Sequence, residues 1–253
     1  MKAKPTARLH AILAREAPLA VLFRRGPAKE VCTVLWNRRT DEFALGQWLR
    51  GRIYEDRCDV SPDGRYLIYF AFDGRQHREY GPSWTAVSRA PWLKAVALYA
   101  KGDCWGGGGI FTSARTYWLD TDHRCLQDTR EVRRDLTADY RQLWHARWAQ
   151  AGWRFRDEFD ATGDRVSLRE KELPSGWILR LRPQAGFELE HTRSKVVRQL
   201  QGWEWAEFDR NRLVWAEKGC LFGAALDHKT GAGSPTLLYD FNEMKFETRT
   251  APY

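Results

Sequence analysis

Potential metal ligands are concentrated in one short stretch of the sequence, "DTDHRC". Its members with side chains that can bind a metal ion are Asp120, Asp122, His123 and Cys125. A metal site needs ligands from segments that converge, and no second cluster lies at a recognisable distance in the sequence. We therefore interpret the stretch as a solvated turn, and we expect neither a bound metal nor a cofactor.

Four consecutive glycines, Gly106, Gly107, Gly108 and Gly109, form a second candidate site within "GDCWGGGGIF". Exposed backbone amides in such a stretch can bind a phosphate or a carboxylate. The Lys-Ser/Thr pair of a P-loop is missing, and no clear helix follows. A closely packed loop between strands is the favoured interpretation, and a ligand-binding loop is the alternative.

Arginines and tryptophans alternate in "YRQLWHARWAQAGWRFR". The arginines are Arg141, Arg147, Arg154 and Arg156, and the tryptophans are Trp144, Trp148 and Trp153. Such a mixture could stack on bases and neutralise phosphates, which would make an anion-binding or nucleic-acid-binding surface. It is equally suited to a helix that buries its tryptophans and exposes its arginines, and this interpretation is favoured.

No arrangement of nucleophile and base is visible. The sequence has no Gly-x-Ser-x-Gly elbow, and its histidines are isolated from one another. The five cysteines are odd in number, widely spaced and never arranged as Cys-x-x-Cys, which is typical of reduced thiols. We expect a protein without catalytic residues.

Composition is consistent with one sizeable core and a basic surface. Of 253 residues, 43% are hydrophobic, and 13 Trp and 9 Tyr favour packing between sheets. The net charge of +8 comes mainly from scattered arginines, which indicates a solvated basic surface or, alternatively, an anionic partner. Arg15, Glu16 and Pro18 interrupt the apolar N-terminal stretch, so we expect a cytoplasmic protein without a signal peptide or membrane span.

The elements that must position these residues are mostly strands. In "DVSPDGRYLIYFAFDG", a Ser-Pro-Asp-Gly turn precedes a strand predicted over residues 65–72 and packed on both faces. Similar short strands separated by turns recur along the chain, which predicts an all-β protein. Two helices are expected: one over residues 7–15, within an N-terminal lead of residues 1–16, and one over residues 136–151, within an insertion of residues 133–152 that ends at Gly152.

A repeat is visible in the turns. Pieces that read as turn, arginine, strand, turn and strand have their turn anchors at Ser61, Asp160 and Asp209, about 99 and about 49 residues apart. This spacing predicts a unit of about 49 residues and about five units in the chain, a plausible size and number for the blades of a propeller.

These residues also carry a resemblance. "SPDGRYLIYFAFDG" resembles the turn-to-strand start of β-propeller blades of the WD40 and TolB-like kinds, and "DRNRLVWAEKGCLFGAALD" is similar to the same unit with a degraded turn. The resemblance implies a β-propeller of short antiparallel sheets. The chain lacks the Gly-His and Trp-Asp dipeptides of WD40 repeats, so the side-chain network of that family is not carried over.

The sequence therefore predicts a single β-propeller-like domain over residues 1–253, with about five blades and a short helical insertion. The favoured function is a non-catalytic module for protein–protein interaction with another protein as its partner. Two alternatives stay open: a propeller with a small-ligand or hydrolytic site at its centre, and a protein that binds nucleic acid or another anionic surface.

Overall fold

A computed structural model describes residues 6–26, 29–121, 123–159 and 162–253. The chain divides into two compact units, unit 1 with residues 1–147 and 244–253 and unit 2 with residues 148–243. The single domain predicted for residues 1–253 stays a prediction.

Unit 1 is built from short strands. In chain order they are Arg8–Leu13 (β1), Leu19–Arg25 (β2), Glu30–Asn37 (β3), Glu42–Arg50 (β4), Arg52–Ile53 (β5), Asp59–Val60 (β6), Tyr66–Phe72 (β7), Ser83–Arg89 (β8), Ala95–Ala100 (β9), Gly109–Phe111 (β10), Thr116–Leu119 (β11), Arg124–Gln127 (β12) and Arg133–Arg134 (β13). They form sheet A in the order β1-β2-β3-β4, sheet B in the order β12-β9-β8-β7-β5 with β6 also paired to β7, and sheet C in the order β10-β11-β13.

Unit 2 contains two further sheets. Its strands are Arg154–Phe159 (β14), Arg165–Glu172 (β15), Trp177–Arg182 (β16), Gly186–His191 (β17), Val197–Leu200 (β18), Trp205–Asp209 (β19), Arg212–Glu217 (β20), Cys220–Ala225 (β21) and Thr236–Asp240 (β22). Strands β14 to β18 form sheet D and strands β19 to β22 form sheet E, both in chain order. Within the described residues, all strand pairs except the parallel pair β11 and β13 are antiparallel, and the all-β prediction is confirmed.

Within each unit, consecutive sheets share cores. Phe23 of sheet A and Leu67 of sheet B belong to one buried cluster, whereas Ile68 on the opposite face of β7 packs with Phe111 of sheet C. Strand β7 is therefore buried on both faces, as the run of β-formers predicted. In unit 2, Leu179 of sheet D and Leu213 of sheet E share a third core.

The predicted N-terminal helix is wrong. Residues 8–13 form β1, which pairs antiparallel with β2. Ala7, Leu9 and Ala11 are buried while their neighbours Arg8 and His10 are more exposed, which is the alternation of a strand. Tertiary pairing overrides the helix propensity of the alanines.

The helix in the predicted helical insertion is shorter than expected. The helix covers only Leu143–Gln150 (α1), and the predicted insertion also contains strand β13. Leu136 is 79% exposed and so supplies no buried face, and Asp135 accepts hydrogen bonds from the backbone N–H groups of Thr137 and Ala138 at 2.9 and 3.1 Å, which fix a turn. The helix ends as predicted near Gly152, whose φ is +84°.

Among the described residues, no helix combines the length and the apolar character needed to cross a lipid bilayer.

Candidate functional site

Gly106, Gly107 and Gly108 lie in the connection from β9 to β10, and Gly109 is the first residue of β10. Gly106, Gly107 and Gly108 have φ values of +71°, +92° and +96°. A Cβ on Gly107 would lie 2.6 Å from the Phe70 ring, and one on Gly108 would lie 2.1 Å from the carbonyl oxygen of Arg57. The stretch is therefore a closely packed loop.

Two of the four amides already have acceptors inside the protein. The N–H of Gly107 donates to Oδ2 of Asp120 at 3.2 Å, and the N–H of Gly108 donates to Oγ1 of Thr85 at 2.9 Å. An anion at this loop would have to compete with both bonds. Ligand binding by Gly106–Gly109 stays a prediction, and the packing supports the structural interpretation.

Arg57 fixes the same loop from the turn between β5 and β6. Its guanidinium donates to the carbonyl oxygens of Cys104 at 2.9 Å and Gly106 at 2.7 Å. The same group lies over the rings of Tyr54 and Phe70, 5.1 and 5.2 Å from their centroids. The carbonyls on both sides of Trp105 are thus held by one side chain.

The amide of Trp105 is held too. It donates to Oδ1 of Asp103 at 2.8 Å, and Lys101 Nζ donates to the same carboxylate at 2.8 Å. The hydrogen bond from Lys101, together with that from Trp105, lowers the pKa of Asp103. Ser83 Oγ donates to the carbonyl oxygen of Asp103 at 2.5 Å, which ties the start of the loop to β8.

On this fixed backbone, the Trp105 side chain is 86% exposed. A large indole normally buries its apolar area in the core, so an exposed one on an immobilised loop is unusual. Sequence reasoning considered this stretch only for its amides and missed the indole. The signal was present, because a tryptophan beside four glycines has few local side chains to cover it.

Two side chains of the "DTDHRC" stretch, Asp120 and His123, form hydrogen bonds within the protein. His123 Nδ1 lies 2.8 Å from the carbonyl oxygen of Thr121, and Nε2 lies 3.1 Å from Oγ1 of Thr85. Burial lowers the pKa of His123, which keeps the imidazole neutral. Asp122 lies outside the described residues, and among those described no three His, Cys, Asp or Glu side chains form a group that could hold a metal ion.

Three of the four arginines proposed as an anion surface have carboxylate partners. Arg147 is buried and lies 3.3 Å from Asp56, whereas the exposed Arg154 lies 2.8 Å from Glu172. Arg156 Nε lies 3.7 Å from an oxygen of Glu158. Arg141 is exposed. The positive charge available to an anion is therefore smaller than the sequence suggests.

The tryptophans of the same segment differ in burial. Trp148 and Trp153 are buried, as predicted, and their rings meet edge to face at 5.2 Å. Trp144 is 38% exposed, contrary to the prediction, because Leu143, Arg147 and Trp148 form the buried face of α1 and Trp144 lies beside that face.

Comparisons with known proteins do not identify a family. No protein-family model matches the chain, and no curated protein matches it. A solved structure from a structural and mechanistic study of two prolyl endopeptidases aligns with 10% sequence identity and a TM-score of 0.21. The alignment covers 92% of this chain and 42% of that chain, and a similarity this weak supports no conclusion about function.

Proposed function

We propose that this chain is a non-catalytic protein-interaction module on a β-propeller scaffold, and that Trp105 is its anchor for a partner protein. The observation that carries the proposal is the 86% exposed indole on a loop that Arg57 and Asp103 immobilise. Exposed tryptophans that insert into a partner's pocket are the residues that contribute most to protein–protein affinity.

The arrangement of the sheets supports the scaffold. The first strands of sheets A to E are β1, β6 with its short neighbour β5, β10, β14 and β19, and the later strands of each sheet follow by antiparallel pairing except for the parallel pair β11 and β13. Strand β6 contacts both β1 and β10, so the first strands of three consecutive sheets are neighbours within unit 1. The number of sheets, five, is the number of blades that the turn spacing predicts, and their closure into a propeller is part of the proposal.

Rigidity of the loop supports the anchor. A loop backbone held in its binding geometry before association loses less conformational entropy when the complex forms. The loop backbone is held at Asp103, Cys104, Trp105 and Gly106 by hydrogen bonds and at Gly107 by the contact with Phe70. The expected partner presents an apolar pocket that accepts the indole of Trp105.

The test is affinity capture from the native host with three baits: wild type, Trp105→Ala and the matched control Trp144→Ala. We expect a partner that binds wild type and the control but is lost from Trp105→Ala. With the purified partner, the Trp105 variant should bind about 30-fold more weakly, as a hot-spot loss of about 2 kcal/mol requires.

Stability measurements complete that test. Trp105→Ala should unfold at the same denaturant concentration as wild type, because the indole contributes little buried area. Capture of the same partners by Trp105→Ala, or marked destabilisation by that substitution, would contradict the anchor role.

The non-catalytic part of the proposal is tested by metal analysis of purified protein. Stoichiometric zinc, calcium or iron that is lost in His123→Ala would contradict it and would favour the enzymatic alternative.

A further inference from the structure

A basic cavity lies in unit 1 at one end of sheets A and B. Its volume is about 500 Å³, and its charged lining is Arg8, Arg25, Lys29, Arg52 and Asp73. These residues stand at the start of β1, the end of β2, the approach to β3, the start of β5 and the end of β7. Cavities of this size commonly hold small molecules.

Two of the cations face a like charge within the sheet. Arg8 and Arg25 are directly opposite each other in the register of β1 and β2. Like charges in that position destabilise a sheet unless an opposite charge compensates them. Glu55 compensates one of them, because it lies 3.3 Å from Arg25.

The other cations of the cavity have no such compensation. The carboxylate of Asp73 is engaged by Arg78 at 3.1 Å. In the described part of the chain, no carboxylate lies within ion-pair distance of Arg8, Lys29 or Arg52. The lining therefore carries more positive than negative charge, since four cations face Asp73 and the nearby Glu55, whose closest cation is Arg25.

From this geometry we infer that the cavity is a binding site for a small phosphate compound, held by Arg8, Lys29 and Arg52. A guanidinium presents paired N–H donors that match two phosphate oxygens, and the lysine adds a point charge. Arg52 lies over the Tyr54 ring, 5.4 Å from its centroid, so stacking orients its plane while the N–H groups along its edge can still donate.

The site goes beyond the interaction function proposed above, since none of its residues belongs to the Trp105 loop. A ligand there would add binding energy to the folded state and would stabilise the ends of β1, β2 and β5.

The experiment is calorimetric titration of the full chain, at near-physiological salt, with pyrophosphate, ATP, citrate and a single-stranded oligonucleotide. The variants are Arg8→Glu and Arg52→Glu. The matched control is Arg39→Glu, which makes the same charge change in the exposed turn after β3, at the opposite end of sheet A.

We expect pyrophosphate or ATP to bind, with affinity at least about tenfold weaker in both cavity variants and unchanged in Arg39→Glu. Citrate should bind more weakly than either phosphate compound. Should Arg8→Glu fail to fold, Arg8→Gln provides the same test by removing the charge without reversing it, and a loss of at least about threefold is expected.

Three results would overturn the inference: no phosphate compound binding at about 1 mM, equal losses in all three variants, or binding of the oligonucleotide alone. Trp105→Ala should bind the phosphate compounds as wild type does, which separates this inference from the proposed protein interaction.

Discussion

Two arginine-rich regions of this molecule differ in whether nearby carboxylates neutralise their positive charge. In sheet D, Arg180 is buried and lies 3.3 Å from Glu170, 3.1 Å from Glu188 and 2.5 Å from Glu190. In the cavity of unit 1, Arg8 is instead opposite another arginine. The first region uses its charge to stabilise the fold, whereas the second leaves charge for a ligand.

The register of the strands explains why the arginines of sheet D are neutralised. Opposite positions on β14 to β18 form one row across sheet D: Arg154, Glu170, Arg180, Glu188 and Gln199. Alternating charges in such a row attract their neighbours on both sides. A net charge of +8 describes neither region, because the pairing of strands decides which arginines are neutralised.

The largest effect is expected from Arg180→Leu. Removing the guanidinium leaves Glu170, Glu188 and Glu190 close together without a shared cation, and breaking a buried ion pair in this way costs about 3–5 kcal/mol. Urea denaturation measures the loss. The control Arg165→Leu, at an exposed pair with Asp157, should lose less than about 1 kcal/mol. Similar losses in both variants would show that the network of sheet D is not stabilising.

A somewhat smaller effect is expected from Gly108→Ala. The new Cβ would lie 2.1 Å from a backbone oxygen at a φ of +96°, so both overlap and backbone strain oppose it, and we expect a loss of about 3 kcal/mol.

The control for that prediction is Gly186→Ala in unit 2. Gly186 also has a positive φ of +84°, but nothing lies within 4 Å of the position that a Cβ would occupy there. Backbone strain alone should cost about 1 kcal/mol at this site. Equal losses at both glycines, measured by denaturation, would contradict close packing as the reason for the glycine run.

Two buried carboxyls, one in each unit, have pKa values that are shifted in opposite directions, and this predicts opposite effects of pH on stability. Burial raises the pKa of Asp59 in unit 1 despite Arg15 at 3.4 Å. Burial would also raise the pKa of Glu188 in unit 2, but hydrogen bonds from Arg182, Gln199 and Arg180 outweigh it and lower that pKa.

The two carboxyls should therefore give opposite slopes. The stabilising contribution of Glu188 is present above the ordinary glutamate pKa of about 4.3 and is lost as the pH falls through the lower folded value. Charged Asp59 disfavours folding at neutral pH, and this penalty disappears as the pH falls through its raised folded value. Relative to Glu188→Gln, wild type should lose stability on acidification, whereas relative to Asp59→Asn it should gain stability. Slopes of the same sign in urea denaturation series from neutral to acid pH would refute the contrast.

Sequence reasoning succeeded where local chemistry decides the structure. The Ser61–Gly64 turn has the hydrogen bond from the N–H of Gly64 to the carbonyl oxygen of Ser61, at 2.8 Å, and the strand after it is β7. It failed at residues 7–15. The alternation of small apolar residues there indicates a strand only when a partner strand such as β2 is known.

The sites were harder to predict than the strands. Arg8, Arg25 and Arg52 come from three strands and line one cavity, and their spacing in the sequence does not predict that they lie close together. The partners of Arg180 likewise depend on the register of β15, β16 and β17. The exposure of Trp105 was closer to the sequence, since its glycine neighbours were visible.

The smallest effect is expected from Arg154→Ala, at the exposed edge of the same row that contains Arg180. Arg154 lies 2.8 Å from Glu172, but the two side chains are 74% and 71% exposed, so water and salt screen their attraction. We expect a loss of less than about 0.5 kcal/mol, and none at high salt, when urea denaturation is repeated at two salt concentrations. Arg180→Leu should keep most of its effect in high salt, because its partners are shielded from solvent. A loss at Arg154 above about 1.5 kcal/mol would mean that the row across sheet D acts as one network out to its edge. Solvent exposure would then not distinguish arginines that stabilise the fold from arginines that do not.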